Sequence, residues 1–240
     1  MANILVLQHH PEEGLGSLAP LLAAAGFSID LRALDAGDPV PEDPGNYAGL
    51  ILMGGPMSVH DEAEHPWLQA EKRLIALAAE QQCPILGHCL GAQLITVALG
   101  GQVLPNPVGA ELGWWPVSLT AAGCARWPNL PPSFPLFHWH GEHCAALPAG
   151  AELLATNAAT AAQAFAIGSH ILALQAHPEV TAQQVRQWTA AGTGELAGGG
   201  RYVQPAVEIL GNVDAACAEL AATAATLYRP WLEQVQRAKA

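Results

Sequence analysis

The segment Pro84-Ile-Leu-Gly-His-Cys-Leu-Gly-Ala-Gln93 constrains this chain more than any other. An apolar run ends at Cys89, an apolar helical pattern starts directly after it, and glycines stand two residues before and two residues after the cysteine. A strand that becomes a helix within one residue leaves no room for side chains at those flanking positions, and glycine lets the two elements approach. Open α/β sheets use such a turn to deliver a residue to the carboxyl edge of the strands, where their sites lie. The helix N-terminus behind Cys89 favours a thiolate. Taken alone, the pattern also admits a blander reading, in which Cys89 is one more small buried hydrophobe.

The surrounding pattern predicts a strand over residues 3–8, a helix over 14–26 and a strand over Phe27–Leu34. Pro39–Asn46 reads as a loop, and Ala48–Met53 as a strand closed by Gly54-Gly55-Pro56. A helix over Pro66–Gln82, a strand over Pro84–His88 and a helix over Leu90–Leu99 follow. This alternation predicts a flavodoxin-like, doubly wound, mostly parallel α/β sheet. From Val103 to Gln175 the texture changes. Short β-like stretches (Trp115–Leu119, Phe134–Trp139, Gln163–Ile167, Ile171–Gln175) sit between Pro and Gly clusters, which predicts a small antiparallel extension. Thr181–Ala191 reads as a short helix, Gly192–Gly200 as a mobile glycine-rich loop and Val213–Ala240 as a closing helix. The expected organisation is a domain over 1–185, with a loop and helical extension over 186–240 packed on it.

Lys and Arg total 9 against 21 Asp and Glu, a net charge of −12. An acidic surface repels phosphate backbones, so no nucleic-acid partner is expected. No run of 18 apolar residues and no basic leader is seen, so the expectation is a cytoplasmic protein with no membrane contact. Five scattered cysteines without a Cys-x-x-Cys pair read as free thiols in a reducing compartment.

Two further segments bear on Cys89: Gly54-Gly55-Pro56 and Gln175-Ala-His177-Pro-Glu179, each directly after an expected strand. All three segments would end at one edge of the sheet, bringing together a cysteine, a histidine and a carboxylate, as nucleophilic catalysis requires. In combination and order they resemble the class I (triad) glutamine amidotransferases, over most of residues 1–185. Met53-Gly-Gly-Pro-Met-Ser-Val, Leu86-Gly-His-Cys-Leu-Gly-Ala-Gln-Leu and Trp139-His-Gly-Glu are similar to the subgroup that looks like the amidotransferase part of GMP synthase.

The resemblance implies that Cys89 attacks a γ-glutamyl amide and forms a thioester, that His177 is general base and then acid, and that Glu179 orients it. It assigns the backbone N–H groups of Gly55 and Leu90 to the oxyanion hole, and Gln93, Trp139 and Gly141 to the amino-acid end of the substrate. It implies glutamine or another γ-glutamyl small molecule as substrate and no cofactor. It leaves room for a separate synthase subunit as ammonia acceptor, because no Gly-x-x-x-x-Gly-Lys-Ser/Thr loop or other activating domain is seen. A γ-glutamyl peptidase on the same residues, and a non-catalytic binding or regulatory protein on the same fold, are the alternatives.

His88 stands where the family usually has an aliphatic residue; strand alternation predicts that it points away from Cys89 as a hydrogen-bonded, partly buried histidine. No ligand pattern of familiar spacing accompanies His138, His140 and His143, so no metal site is expected there. His9-His10, directly after the first strand, read as a solvated loop or as a border of the site, Glu12-Glu13 and Asp61-Glu62 as solvated charges, and Trp114-Trp115 and Trp188 as packing residues.

Overall fold

The computed structural model describes residues 3–238. The first half alternates as β1 Asn3–Gln8, α1 Leu18–Ala24, β2 Ser28–Ala33, β3 Tyr47–Leu52, α2 Trp67–Glu80, β4 Ile85–His88 and α3 Leu90–Ala98. Then come β5 Gln102–Pro105, β6 Glu111–Leu119, α4 Ala121–Arg126, β7 Ser133–His140, β8 Glu142–Ala146, β9 Ala151–Thr156, β10 Ala164–Ile167 and β11 Ile171–Leu174. The chain continues with α5 Ala182–Ala191, α6 Thr193–Gly198, β12 Tyr202–Val203, α7 Ala206–Leu210 and α8 Val213–Ala238.

Strands β2, β1, β3, β4 and β11 lie side by side and parallel. On the far side of β11 the sheet continues through β10, β9, β6 and β7 in antiparallel pairings. This is the mostly parallel, doubly wound sheet with a small antiparallel part that the alternation predicts. The apolar runs of β1 and β3 are buried on both faces, as parallel strands under helices must be. Their period of two divides them between two cores. Ile4, Val6 and Ile51 face a cluster closed by α1 and α8. Leu5, Leu7, Leu50 and Leu52 face a second cluster closed by α2 and α3.

Helix α8 presents Leu220, Ala224, Leu227, Tyr228, Trp231 and Val235 to the first cluster, one apolar stripe at helical spacing. Trp231 and Val235 press on β3 at Gly49, where an added Cβ would lie 3.2 Å from each. The expected division at residue 185 falls inside α5. The last two residues of the expected closing helix lie outside the described residues.

Three expectations differ from the structure. Residues 171–175, read as part of the antiparallel extension, form β11, which pairs in parallel with β4 on one side. The glycine-rich segment 192–200 carries α6, and within it Glu195 accepts from the Trp139 indole N–H at 2.9 Å. Strands β5, β8, β9 and β12 have too little apolar alternation to announce themselves. Among the described residues, no helix is long and apolar enough to cross a membrane.

Candidate active site

Cys89 sits between β4 and α3 with φ +46° and ψ −105°, a conformation that costs an ordinary residue about 1–3 kcal/mol and persists only where its surroundings impose it. The surroundings are visible. Cys89 N–H donates to the Leu174 carbonyl at 2.8 Å and Gly91 N–H to that of Met53 at 3.1 Å. A Cβ on Gly87 would stand 2.7 Å from the Gly91 backbone, and one on Gly91 would strike the Leu52 carbonyl. The two glycines are therefore what allows β4 and α3 to meet at this angle.

His177 and Glu179 follow β11, the neighbour of β4, so both arrive at the same carboxyl edge. His177 N–H is fixed to the Phe137 carbonyl at 2.8 Å. Its Nδ1 meets Glu179 Oε1 at 2.8 Å, and its ring is within hydrogen-bonding reach of the Cys89 thiol. Burial alone would depress the imidazole, but Glu179 and Cys89 outweigh it and hold His177 well above the ordinary histidine value. Glu179 is likewise opposed by burial, yet His88 and His177 pull its carboxyl below the ordinary range. The Trp188 edge covers the His177 ring at a centroid distance of 4.8 Å.

His88 points to the other side of the sheet from the cleft. Its Nε2 meets the Tyr228 hydroxyl at 2.9 Å and lies 3.8 Å from Glu179 Oε2. Burial pushes its pKa down. Tyr228, Glu179 and His177 thus form a buried row leading from α8 to Cys89, with His88 between the first two.

A cleft of about 560 Å³ opens over Cys89 and is lined by Gly55, Gln93, Trp139, Gly141 and His177 among others. As the first helical residue of α3, Leu90 has an N–H with no intrahelical acceptor. Gly55 is crowded: a Cβ there would come within 2.6–2.9 Å of Met57, Leu90 and His9. Gln93 Nε2 donates to the Glu142 carbonyl at 3.1 Å. The Cys89 thiol lies 3.7 Å from the Trp139 carbonyl and 3.7 Å from Gln175 Nε2.

Several residues read as surface groups belong to this site. His9 is fully buried, stacked on Trp67. It bonds Glu71 at 3.0 Å and the Met53 and Gly54 carbonyls at 3.0 Å, which fixes the turn that carries Gly55. Burial lowers its pKa, but Glu71 more than compensates and the net shift is upward. Glu12, Glu13 and Asp61 line the cleft rather than facing bulk solvent. Burial pushes the Glu13 carboxyl up, with His177 opposing; the carboxyl lies against Gly54, where any Cβ would meet it. Glu142 and Glu195 complete a wall of five carboxylates, and no lysine or arginine is among its lining residues.

Away from Cys89 the other thiols are poor nucleophiles or distant. Burial pushes Cys144 up to about 12, and Cys83 and Cys217 to about 11. Cys124 is exposed. Of the three histidines read together in the sequence, His138 and His140 share one strand face and His143 does not join them. The carboxylate that does is Glu111, which stands opposite His140 on β6 and which the spacing gave no means of seeing.

The family model for class I glutamine amidotransferases matches residues 15–189. The chain belongs to this family. A glutamine amidotransferase-like protein of Salmonella typhimurium, YfeJ, is 29% identical over 84% of this chain and 86% of its own length. A GMP synthase of Thermomicrobium roseum is 38% identical over 55% of this chain, but the match spans only 23% of that protein. Gamma-glutamyl peptidase 3 of Arabidopsis thaliana is 26% identical over 62% of this chain and 61% of its own length. The crystal structure of a glutamine amidotransferase from Methylobacillus flagellatus superposes with a TM-score of 0.92 at 32% identity, over 98% of this chain and 95% of that one. As a class I glutamine amidotransferase the chain carries its Gly-x-Cys-x-Gly and His-Pro-Glu segments on adjacent parallel strands, β4 and β11.

Proposed function

We propose that this chain hydrolyses γ-glutamyl amides through a thioester on Cys89, with glutamine as the first candidate substrate. The observation that carries the reading is the strained Cys89 at the start of α3, beside an imidazole that Glu179 holds at 2.8 Å. His177 takes the thiol proton, and the thiolate attacks the γ-carbonyl carbon. The oxyanion that forms accepts hydrogen bonds from the N–H groups of Gly55 and Leu90. The same proton then passes from His177 to the leaving nitrogen, and ammonia departs as the C–N bond breaks. Water, deprotonated by His177, attacks the thioester; glutamate leaves and the thiol is restored. Glu179 stays ionised and stabilises the imidazolium. With no lysine or arginine on the cleft wall, the substrate α-carboxylate is left to backbone N–H groups near Trp139 and Gly141. Glu142, beside Gln93, suits the α-ammonium.

The size of the cleft favours a second reading on the same chemistry. At about 560 Å³ it lies in the range of pockets that take drug-sized ligands, which suits a γ-glutamyl peptide or conjugate. A synthase subunit that receives ammonia would instead cover Leu104 and Val108, which are 42% and 43% exposed on and just beyond β5, the strand whose Pro105 pairs with Glu142. Incubation with glutamine and a panel of γ-glutamyl compounds, reading ammonia, amine and glutamate, tests the proposal. Glutamate release that disappears in Cys89→Ala is expected. No release from any member of the panel would overturn it.

A further inference from the structure

The cluster of Glu111, His138 and His140 has no part in the chemistry above. It is built by the β6–β7 ladder. Glu111 pairs directly with His140, and His138 lies two residues along β7, opposite Gly113. A period of two puts all three side chains on one face. Glu111 and His138 are fully buried and His140 nearly so. One ligand atom from each lies within 4.8 Å of the others.

A carboxylate offers about four acceptor positions. Thr160 Oγ1 and Gln163 Nε2 occupy Glu111 Oε2 at 3.0 and 2.8 Å. The Asn157 amide takes one position on Oε1, which leaves one position there open. His140 Nδ1 is committed to the Glu142 carbonyl at 3.0 Å, so its proton sits on Nδ1 and the Nε2 lone pair is free. That Nε2 stands 3.1 Å from Glu111 Oε2 but outside hydrogen-bond geometry. Neither ring nitrogen of His138 closes a hydrogen bond of normal geometry, and its Nδ1 is 3.6 Å from Glu111 Oε1.

A shared proton does not account for the His138–Glu111 separation, because 3.6 Å is too long for a hydrogen bond. Two ligands of one tetrahedral zinc, with bonds of about 2.0–2.1 Å, stand about 3.3 Å apart. The 3.6 Å between His138 Nδ1 and the open Oε1 of Glu111 is near that figure, and one ligand atom of His140 lies within 4.8 Å of both other residues' ligand atoms. His140 is oriented from behind by the Glu142 carbonyl, and Glu111 by two amides and a hydroxyl, as metal-binding imidazoles and carboxylates ordinarily are. We propose that Glu111, His138 and His140 bind one divalent transition ion of the zinc class, with water in the fourth position. Two imidazoles and a carboxylate suit zinc better than calcium or magnesium. The ion would tie β6 to β7 immediately behind Trp139–Gly141, the segment that walls the cleft, and so would set substrate binding rather than bond breaking.

The test uses the full chain carrying Cys89→Ala, so that zinc cannot be held by the thiolate. After zinc loading and desalting, elemental analysis should find about one zinc per chain. Zinc should raise the melting temperature, and X-ray absorption should show imidazole nitrogen in the first shell. His138→Gln, which keeps the side chain's bulk, and Glu111→Gln should each weaken zinc binding more than about a hundredfold, as loss of a ligand exceeds loss of a group behind one. His143→Ala should retain the ion. Should Glu111→Gln fail to fold, His138→Gln alone decides. Absence of stoichiometric zinc, or equal retention in His138→Gln, would overturn the proposal, as would retention only when Cys89 is present.

Discussion

Two buried imidazole–carboxylate clusters flank the cleft, and they behave in opposite ways. Glu179 reaches His177 at 2.8 Å, and the imidazole is held well above its ordinary value despite burial. Glu111 stands 3.6 Å from His138, whose burial, opposed by Glu111, still pushes it down to about 4. Both carboxylates are buried. The difference is in their other partners. Asn157, Thr160 and Gln163 already hold Glu111, whose own pKa, against the pull of burial, is kept down to about 2 with the help of the two imidazoles. The second oxygen of Glu179 has no hydrogen-bond partner. Glu111, shared among two amides and a hydroxyl, does not outweigh the burial of His138. Proximity alone therefore does not make a proton-transfer pair; the first cluster is suited to moving a proton, and the second to offering lone pairs.

The largest expected effect breaks the two apart directly. His177→Ala should lower glutamine or γ-glutamyl hydrolysis about 10⁴-fold or more. His138→Gln, in zinc-free protein, should cost less than about tenfold. Steady-state kinetics on the two variants checks this, and equal losses would erase the distinction. Gly55→Ala comes next. Its Cβ would displace Met57 and Leu90 and disturb one oxyanion donor, with an expected kcat loss of about 10²–10³.

Glu179→Gln sharpens the comparison through pH. Without the carboxylate, His177 should lose its proton more easily, so the alkaline limb of kcat/KM should move to lower pH by about one unit or more. Glu111→Gln should leave that limb in place. Stability should follow the same logic. The folded value of His177 is raised, so its contribution is full below about 6.5 and is lost as pH rises through the raised value. Glu179 is lowered, so its contribution is present above about 4.5 and is lost as pH falls through the folded value. Denaturation across pH should show the gap between parent and Glu179→Gln widest between those limits.

The smallest effect concerns the row behind Glu179. Tyr228→Phe removes the hydroxyl that meets His88 at 2.9 Å, leaving a buried imidazole nitrogen unpaired. It should cost about 1–3 kcal/mol of stability and only a few-fold in kcat. A pH profile unchanged from the parent would mean that Tyr228 supports the fold and not the state of His177.

The same contrast explains what the sequence made legible. The places of Cys89, Gly55 and His177 were readable because a parallel strand–helix unit brings its strand ends to one edge, next to glycines that the close approach of β4 and α3 demands. Trp139 and Gly141 came only through the family resemblance. Glu111 was hidden because nothing in the chain states that it stands opposite His140; register between β6 and β7 is a long-range property. His9 and Glu13 were misread for a similar reason. Short polar runs after a strand look solvated until Glu71, 62 residues away, and His177, still farther along, are seen packed against them. Tyr228 lies on an apolar helical stripe whose pattern predicts burial but not a hydroxyl aimed at His88.

The central claim is that Cys89 is the nucleophile and that a glutamyl group seats above it. Labelling with a diazo-ketone glutamine analogue, followed by mass spectrometry of the peptides, tests both halves at once. Cys89 should be modified alone, glutamine should protect it, and His177→Ala should slow the reaction at least about tenfold. The exposed Cys124 and the buried Cys144 should remain free, the latter because burial pushes its thiol up to about 12. Labelling of Cys124 or Cys144 in preference to Cys89, or labelling of Cys89 that glutamine and γ-glutamyl compounds fail to slow, would contradict the account.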